Sequence, residues 1–173
     1  GLDIVSKCFG NYLITSESKR KEEVLIDILK ERNEFISTAE SVTGGLIASS
    51  IIDISGASEV LKESYIVYSN EAKEYLLNVS RETIKEYTVV SKEVLSQMLI
   101  GLKNLSKANL CIASTGYAHT GEVYLGILYE GKEFIKHLQF NGDRNRVRLR
   151  TKNYAMDMAI MIMRGVYEDN ISI

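Results

Sequence analysis

The stretch FISTAESVTGGLIASSII at positions 35–52 constrains the fold more than any other part of the chain. Its first five residues, FISTA, mix β-branched and aromatic side chains over the length of a short strand. Two adjacent glycines, Gly44 and Gly45, then precede small residues and isoleucines at helical spacing, so a helix is expected over 43–52 with both glycines in its first turn. A strand that passes through a tight turn directly into a helix is half of a βαβ unit, which builds parallel sheet.

The rest of the chain repeats that alternation. Val24, Leu25, Ile28 and Leu29 lie at helical spacing over 21–32. SYIVYS at 64–69 reads as a second strand, followed by short helices over 71–77 and 81–87. Ser91 is placed to cap a helix that Val94, Leu95, Met98, Leu99 and Leu102 carry to about residue 103. Strands are expected over 109–114, 122–129 and 132–140, the last two joined as a hairpin at Glu130-Gly131. Asp143 can cap a closing helix whose apolar face holds Val147, Tyr154, Ala155, Met158 and Ile162. The expected class is α/β: a three-layer α/β/α sandwich with a mixed, mainly parallel sheet, formed by residues 20–173 behind a lead-in at 1–19.

Composition narrows what such a domain can do. With 173 residues, 45% hydrophobic and 25% charged, the chain can build a core without staples. Lys and Arg number 21 against 23 Asp and Glu, so no global positive field exists to hold a nucleic acid. Two cysteines, Cys8 and Cys111, make no disulfide framework and suit a reducing cytoplasm. His119 and His137 are too few to build a zinc site and read as surface or packing residues. No apolar run approaches the 18 residues of a membrane span. A first residue that is Gly rather than Met reads as a processed end or the start of a domain cut from a longer chain.

Three clusters carry chemistry. TAESVTGG, at 38–45, spans a strand end and a helix start, where unpaired N–H groups can hold a phosphate or an oxyanion. The plainer reading is that Ser41 or Thr43 caps the helix and the glycines ease packing. YSNEAK, at 68–73, lies at the next strand end, and two parallel strands open on the same edge of the sheet. Ser41, Tyr68 and Lys73 can therefore converge. A lysine near its reference pKa of about 10.4 is a poor base, but desolvation lowers it, a phenol can relay the proton, and Ser–Lys pairs are a known solution to nucleophile activation. Against this stands a Tyr68 that packs and a Lys73 that is solvated. GDRNRVRLRTK, at 142–152, gathers Arg144, Arg146, Arg148, Arg150 and Lys152 at a helix start, where each exposed cation opposes the dipole by about 0.3–1 kcal/mol. A bound phosphate gripped by Arg144 or Arg148 would compensate, as would salt bridges.

Taken together, TAESVTGGLIA (38–48), IDISGAS (52–58), VYSNEAK (67–73), TVVSKEV (88–94), STG (114–116) and NGDRNRVR (141–148) resemble the CinA C-terminal domain family. Enzymatic members of that family are nicotinamide-nucleotide amidases. The resemblance implies hydrolysis of the carboxamide of nicotinamide mononucleotide to the nicotinate mononucleotide and ammonia, in pyridine-nucleotide salvage, with neither metal nor cofactor. It implies Ser41 as nucleophile, activated by Tyr68 and Lys73. Substrate contacts are expected from Glu40, Thr43, Gly44, Gly45, Asn70, Thr115, Gly116, Arg144 and Arg148. Two departures from the family pattern stand out: Val42 occupies the position of a usual Cys, and GYAHTGEVY at 116–124 replaces a longer loop containing proline.

The resemblance further implies self-association, and it likens residues 1–18 to the junction with a preceding molybdopterin-binding-like domain. A second functional reading stays open beside the hydrolase. It is a module that keeps the fold and nucleotide binding without turnover, serving a regulatory role in a longer protein.

Overall fold

The computed structural model describes residues 19–168. Cys8 and the expected junction at 1–18 lie outside them. The described chain runs α1 (Lys21–Arg32), β1 (Ile36–Glu40), α2 (Leu46–Ile52), a 3-10 turn (Ala57–Glu59), β2 (Leu61–Ile66), α3 (Asn70–Leu77), α4 (Arg81–Tyr87), α5 (Lys92–Ser106), β3 (Leu110–Tyr117), β4 (Glu122–Tyr129), β5 (Lys132–Gln139) and α6 (Arg144–Met163). The five strands form one sheet in the order β2-β1-β3-β4-β5. β1 pairs parallel with β2 and β3, whereas β4 is antiparallel to both β3 and β5. Four strands thus point one way and β4 alone opposes them, which is the mixed sheet expected.

Strand alternation builds the three layers. Ile36 on β1, Leu110 and Ile112 on β3, and Leu125 and Ile127 on β4 pack with apolar residues of α1, α2 and α6. Ala39, Cys111 and Ala113, one residue out of phase, face Leu77 of α3 and Val94, Leu95, Met98 and Leu99 of α5. One close approach fixes α3 against α5: a Cβ at Gly101 would stand 2.0 Å from the Leu77 carbonyl oxygen. Only glycine permits the two backbones that distance.

Element boundaries moved where local pattern competed with long-range pairing. α1, α4 and β4 occupy the expected residues, and Glu130 and Gly131 both take positive φ at the hairpin tip. Ser91 caps α5 through the Val94 N–H, and Asp143 caps α6 through the Arg146 N–H. β2 begins earlier, at Leu61, because an edge strand is defined by its pairing with β1 rather than by a buried apolar run. The helix expected from residue 43 starts at Leu46. Gly44 and Gly45 precede it in left-handed conformation, at φ 59° and 89°, a region open to glycine at no steric cost. Neither Ser41 nor Thr43 caps α2. Its amides at Ile47 and Ala48 donate to the carboxylate of Glu40, at 3.0 and 2.8 Å.

Candidate active site

Ser41 follows the last residue of β1, and the ladder to β3 continues through its N–H, which donates to the Ser114 carbonyl at 3.0 Å. Glu40 faces the α2 layer, so Ser41 falls on the opposite side, toward α3. There the sequence folds a helix capped by Ser69, whose hydroxyl accepts the Ala72 N–H. Lys73, in the first turn of that helix, points back under the strand ends. Its amine donates to Ser41 Oγ at 3.1 Å and to the Val67 carbonyl at 2.8 Å.

Lys73 is only 1% exposed, and among the described residues no carboxylate pairs with it. Burial without a counter-charge disfavours the ammonium and lowers its pKa to about 8. At neutral pH roughly a tenth of such lysines are unprotonated, against about one in 2,500 in water. A neutral amine beside a hydroxyl can take its proton.

The turn after Ser41 is held from three sides. Arg148 donates from Nε and Nη2 to the Thr43 carbonyl at 3.1 and 2.9 Å. The hydroxyls of Thr43 and Ser114 share a 2.8 Å hydrogen bond. Glu40 ties the strand end to the first turn of α2, and Thr38 donates to the same carboxylate at 3.2 Å. Inside this frame the Gly44 N–H bonds back to the Ser41 carbonyl. Among the described hydrogen bonds, the N–H groups of Val42 and Thr43 have no acceptor.

A cleft of about 220 Å³ opens over Ser41, lined among others by Tyr68, Asn70, Lys73, Thr115, Gly116 and Arg144. These are the expected residues that the fold brings together. Glu40, Thr43, Gly44, Gly45 and Arg148 do not line it. Glu40 is held by the amides of α2 and Arg148 by the Thr43 carbonyl, so both brace the turn that carries Ser41. Tyr68 is 67% exposed on the rim, and among the described hydrogen bonds none joins it to Ser41 or Lys73. The contact that the structure does show is the direct one, from the Lys73 amine to Ser41 Oγ. Of the basic cluster, Lys152 pairs with Glu22 at 2.8 Å and Arg150 donates to the Asn141 carbonyl.

One part of the cleft wall was missed from sequence, Val89 and Val90, while the other, Tyr117 and His119, belongs to the altered segment at 116–124 that the family resemblance sets beside the substrate. Val89 and Val90 line it from the approach to α5, and His119 and Tyr117 line it from the end of β3. His119, read from sequence as a surface or packing residue, is a cleft residue. His137 does pack at the surface, stacked on Tyr124 at 4.4 Å between ring centres. Cys111 is no rival nucleophile, since burial pushes its thiol up to about 11. Among the described residues, no three His, Cys, Asp or Glu side chains group to hold a metal ion, and no helix is long and apolar enough to cross a membrane.

A parallel sheet edge bearing a serine against a buried lysine defines a class of α/β domain with a Ser–Lys site. The sequence model of the CinA C-terminal domain matches residues 18–163, and the chain belongs to that family. A protein of Clostridium botulinum named as competence-damage inducible is 40% identical over 162 residues, covering 88% of this chain and 40% of its own length. A CinA-like protein of Thermotoga neapolitana is 32% identical over 86% of this chain and 38% of its own. The chain thus spans about two fifths of the length of the curated relatives it matches. Among solved structures, the competence/damage inducible protein CihA of Agrobacterium tumefaciens superposes with a TM-score of 0.78 at 31% identity, covering 84% of this chain and 98% of that one. Competence damage-inducible protein A of Klebsiella pneumoniae gives 0.74 at 27% identity, over 80% of this chain and 93% of that one.

Proposed function

We propose that this domain is a serine-type amidohydrolase acting on the carboxamide of nicotinamide mononucleotide. The observation that carries the reading is the contact of a buried, uncompensated Lys73 amine with Ser41 Oγ. As the neutral amine takes the hydroxyl proton, Ser41 Oγ bonds to the amide carbon. The negative charge that develops on the amide oxygen is met by the N–H of Val42, a cleft-lining residue whose amide has no acceptor among the described hydrogen bonds, a role worth about 10²–10³ in rate per donor. The carbon–nitrogen bond breaks as Lys73 passes its proton to the departing nitrogen, which leaves as ammonia. Water then attacks the acyl-serine, Lys73 accepts its proton, and that proton returns to Ser41 Oγ. The products are nicotinate mononucleotide and ammonia, with no metal and no redox change. Arg144, at the cleft edge and the start of α6, meets the ribose phosphate. Tyr68 touches the substrate from the rim.

One observation favours the second reading, a nucleotide-binding module without turnover: the hydroxyl of Tyr68 engages neither Ser41 nor Lys73. Incubation with nicotinamide mononucleotide decides between them. Ammonia release that disappears in Ser41→Ala supports the hydrolase, whereas calorimetric binding without release supports the module.

A further inference from the structure

Both departures from the family pattern meet in one place. Val42, the residue after Ser41, sits in an apolar cluster with Ala118, Val123 and Val147. Ala118 belongs to the short segment that replaces the usual loop, and it is flanked by Tyr117 and His119, both in the cleft wall. Their ring centres are 5.7 Å apart, at an interplanar angle of 56°.

The segment is stapled in place. The Gly121 N–H donates to the Tyr117 carbonyl at 2.9 Å, and the Phe140 N–H donates to the Gly121 carbonyl at 2.9 Å. Gln139 donates to the Thr120 carbonyl at 2.6 Å. Gly121 leaves no room for a side chain, since a Cβ there would stand 1.8 Å from the Phe140 carbonyl oxygen. A wall held this way loses little entropy when a ligand meets it. The strand order supplies the opposite side: β1, which ends at the nucleophile, lies between β2 and β3. Tyr68 follows β2, while Tyr117 and His119 come from the end of β3. Aromatic rings therefore flank Ser41 from both neighbouring strands.

We propose that Tyr117 and His119, seated on Val42 through Ala118, form a specificity wall that stacks against the planar heteroaromatic ring of a carboxamide substrate. The inference rests on the amidohydrolase reading for the identity of the ring. Aromatic contacts of this kind contribute about 0.5–1.5 kcal/mol each, or roughly 2- to 12-fold in affinity. An aliphatic amide would gain nothing from them.

The test is calorimetry with nicotinamide mononucleotide in a Ser41→Ala background, which reads binding without turnover. Tyr117→Ala and His119→Ala are each expected to weaken binding about 3- to 10-fold, Tyr117→Phe and His119→Phe to retain it, and melting temperatures to stay close to the parent. Unchanged affinity in both alanine variants overturns the proposal. So does equal weakening by the phenylalanine variants, or the absence of binding by the parent. Failure of the hydrolase reading shows separately: ring-dependent binding persists while the Ser41-bearing chain releases no ammonia.

Discussion

The amine of Lys73 lies 3.1 Å from the hydroxyl of Ser41, although 32 residues separate them in the chain. Its second partner, the Val67 carbonyl, takes another of its hydrogens. In the neutral amine, one N–H can stay on Val67 while the lone pair turns to Ser41. The contact then reverses direction without movement of heavy atoms.

That reversal sets the pH dependence of turnover. Lys73 must be unprotonated to act, and burial places its pKa at about 8. The turnover rate should climb close to tenfold per pH unit between about 6 and 7.5 and level off above about 8.5. A flat profile across this range would remove Lys73 as the base.

The same burial weighs on folding. Lys73 has its pKa lowered from 10.5 to about 8, so between those values the unfolded chain binds more protons and stability rises with pH. Below 8 the full cost, about 3 kcal/mol at 1.36 kcal/mol per unit, is present. Lys73→Met should therefore lose activity and yet unfold at higher urea than the parent at pH 7, by about 1–3 kcal/mol after the lost Val67 bond. The gap should shrink by pH 10. A variant less stable than the parent at pH 7 would mean that the amine braces the fold.

Arg148 gives the turn after Ser41 its shape through two bonds to one carbonyl. Arg148→Ala should reduce kcat about 10- to 100-fold, by misplacing the Val42 amide, with KM changed far less. Added guanidinium ion should restore part of the rate. A raised KM at constant kcat would instead make Arg148 a substrate ligand.

Gly101 bears on the site from a distance. Gly101→Ala puts a methyl group against the Leu77 carbonyl, one helical turn beyond Lys73. The expected cost is about 1–3 kcal/mol of stability, measured by urea unfolding, together with a fall in kcat as α3 shifts. Parental values of both would show that α3 has slack.

Residues with local partners were legible in the sequence. α1 and the β4–β5 hairpin follow from apolar spacing and from Glu130-Gly131, and the caps at Ser91 and Asp143 act within three residues. The motif residues Ser41 and Lys73 could be named as partners because parallel strands share an open edge. What stayed hidden depends on distant pairing. Glu40 reads as a substrate contact and Arg148 as a phosphate-binding group, and neither reading contains the α2 amides that Glu40 accepts or the carbonyl 105 residues away that Arg148 holds. His119 carries no helical or strand periodicity to mark which way it faces. The convergence of two strand ends sets Tyr68 and Lys73 near Ser41, but it does not encode that the Lys73 amine reaches Ser41 Oγ directly while Tyr68 lies on the rim.

Glu40 and Ser41 are consecutive, and they serve opposite faces of the sheet. Deleting one residue within β1 would exchange them. The carboxylate would then point at Lys73 and quench it as an ion pair, while the hydroxyl would be left beneath the amides of α2. The meeting of Ser41 with Lys73 is thus encoded by the parity of the serine's position as much as by its identity, and single-residue insertions or deletions in this strand should barely alter composition yet abolish that contact.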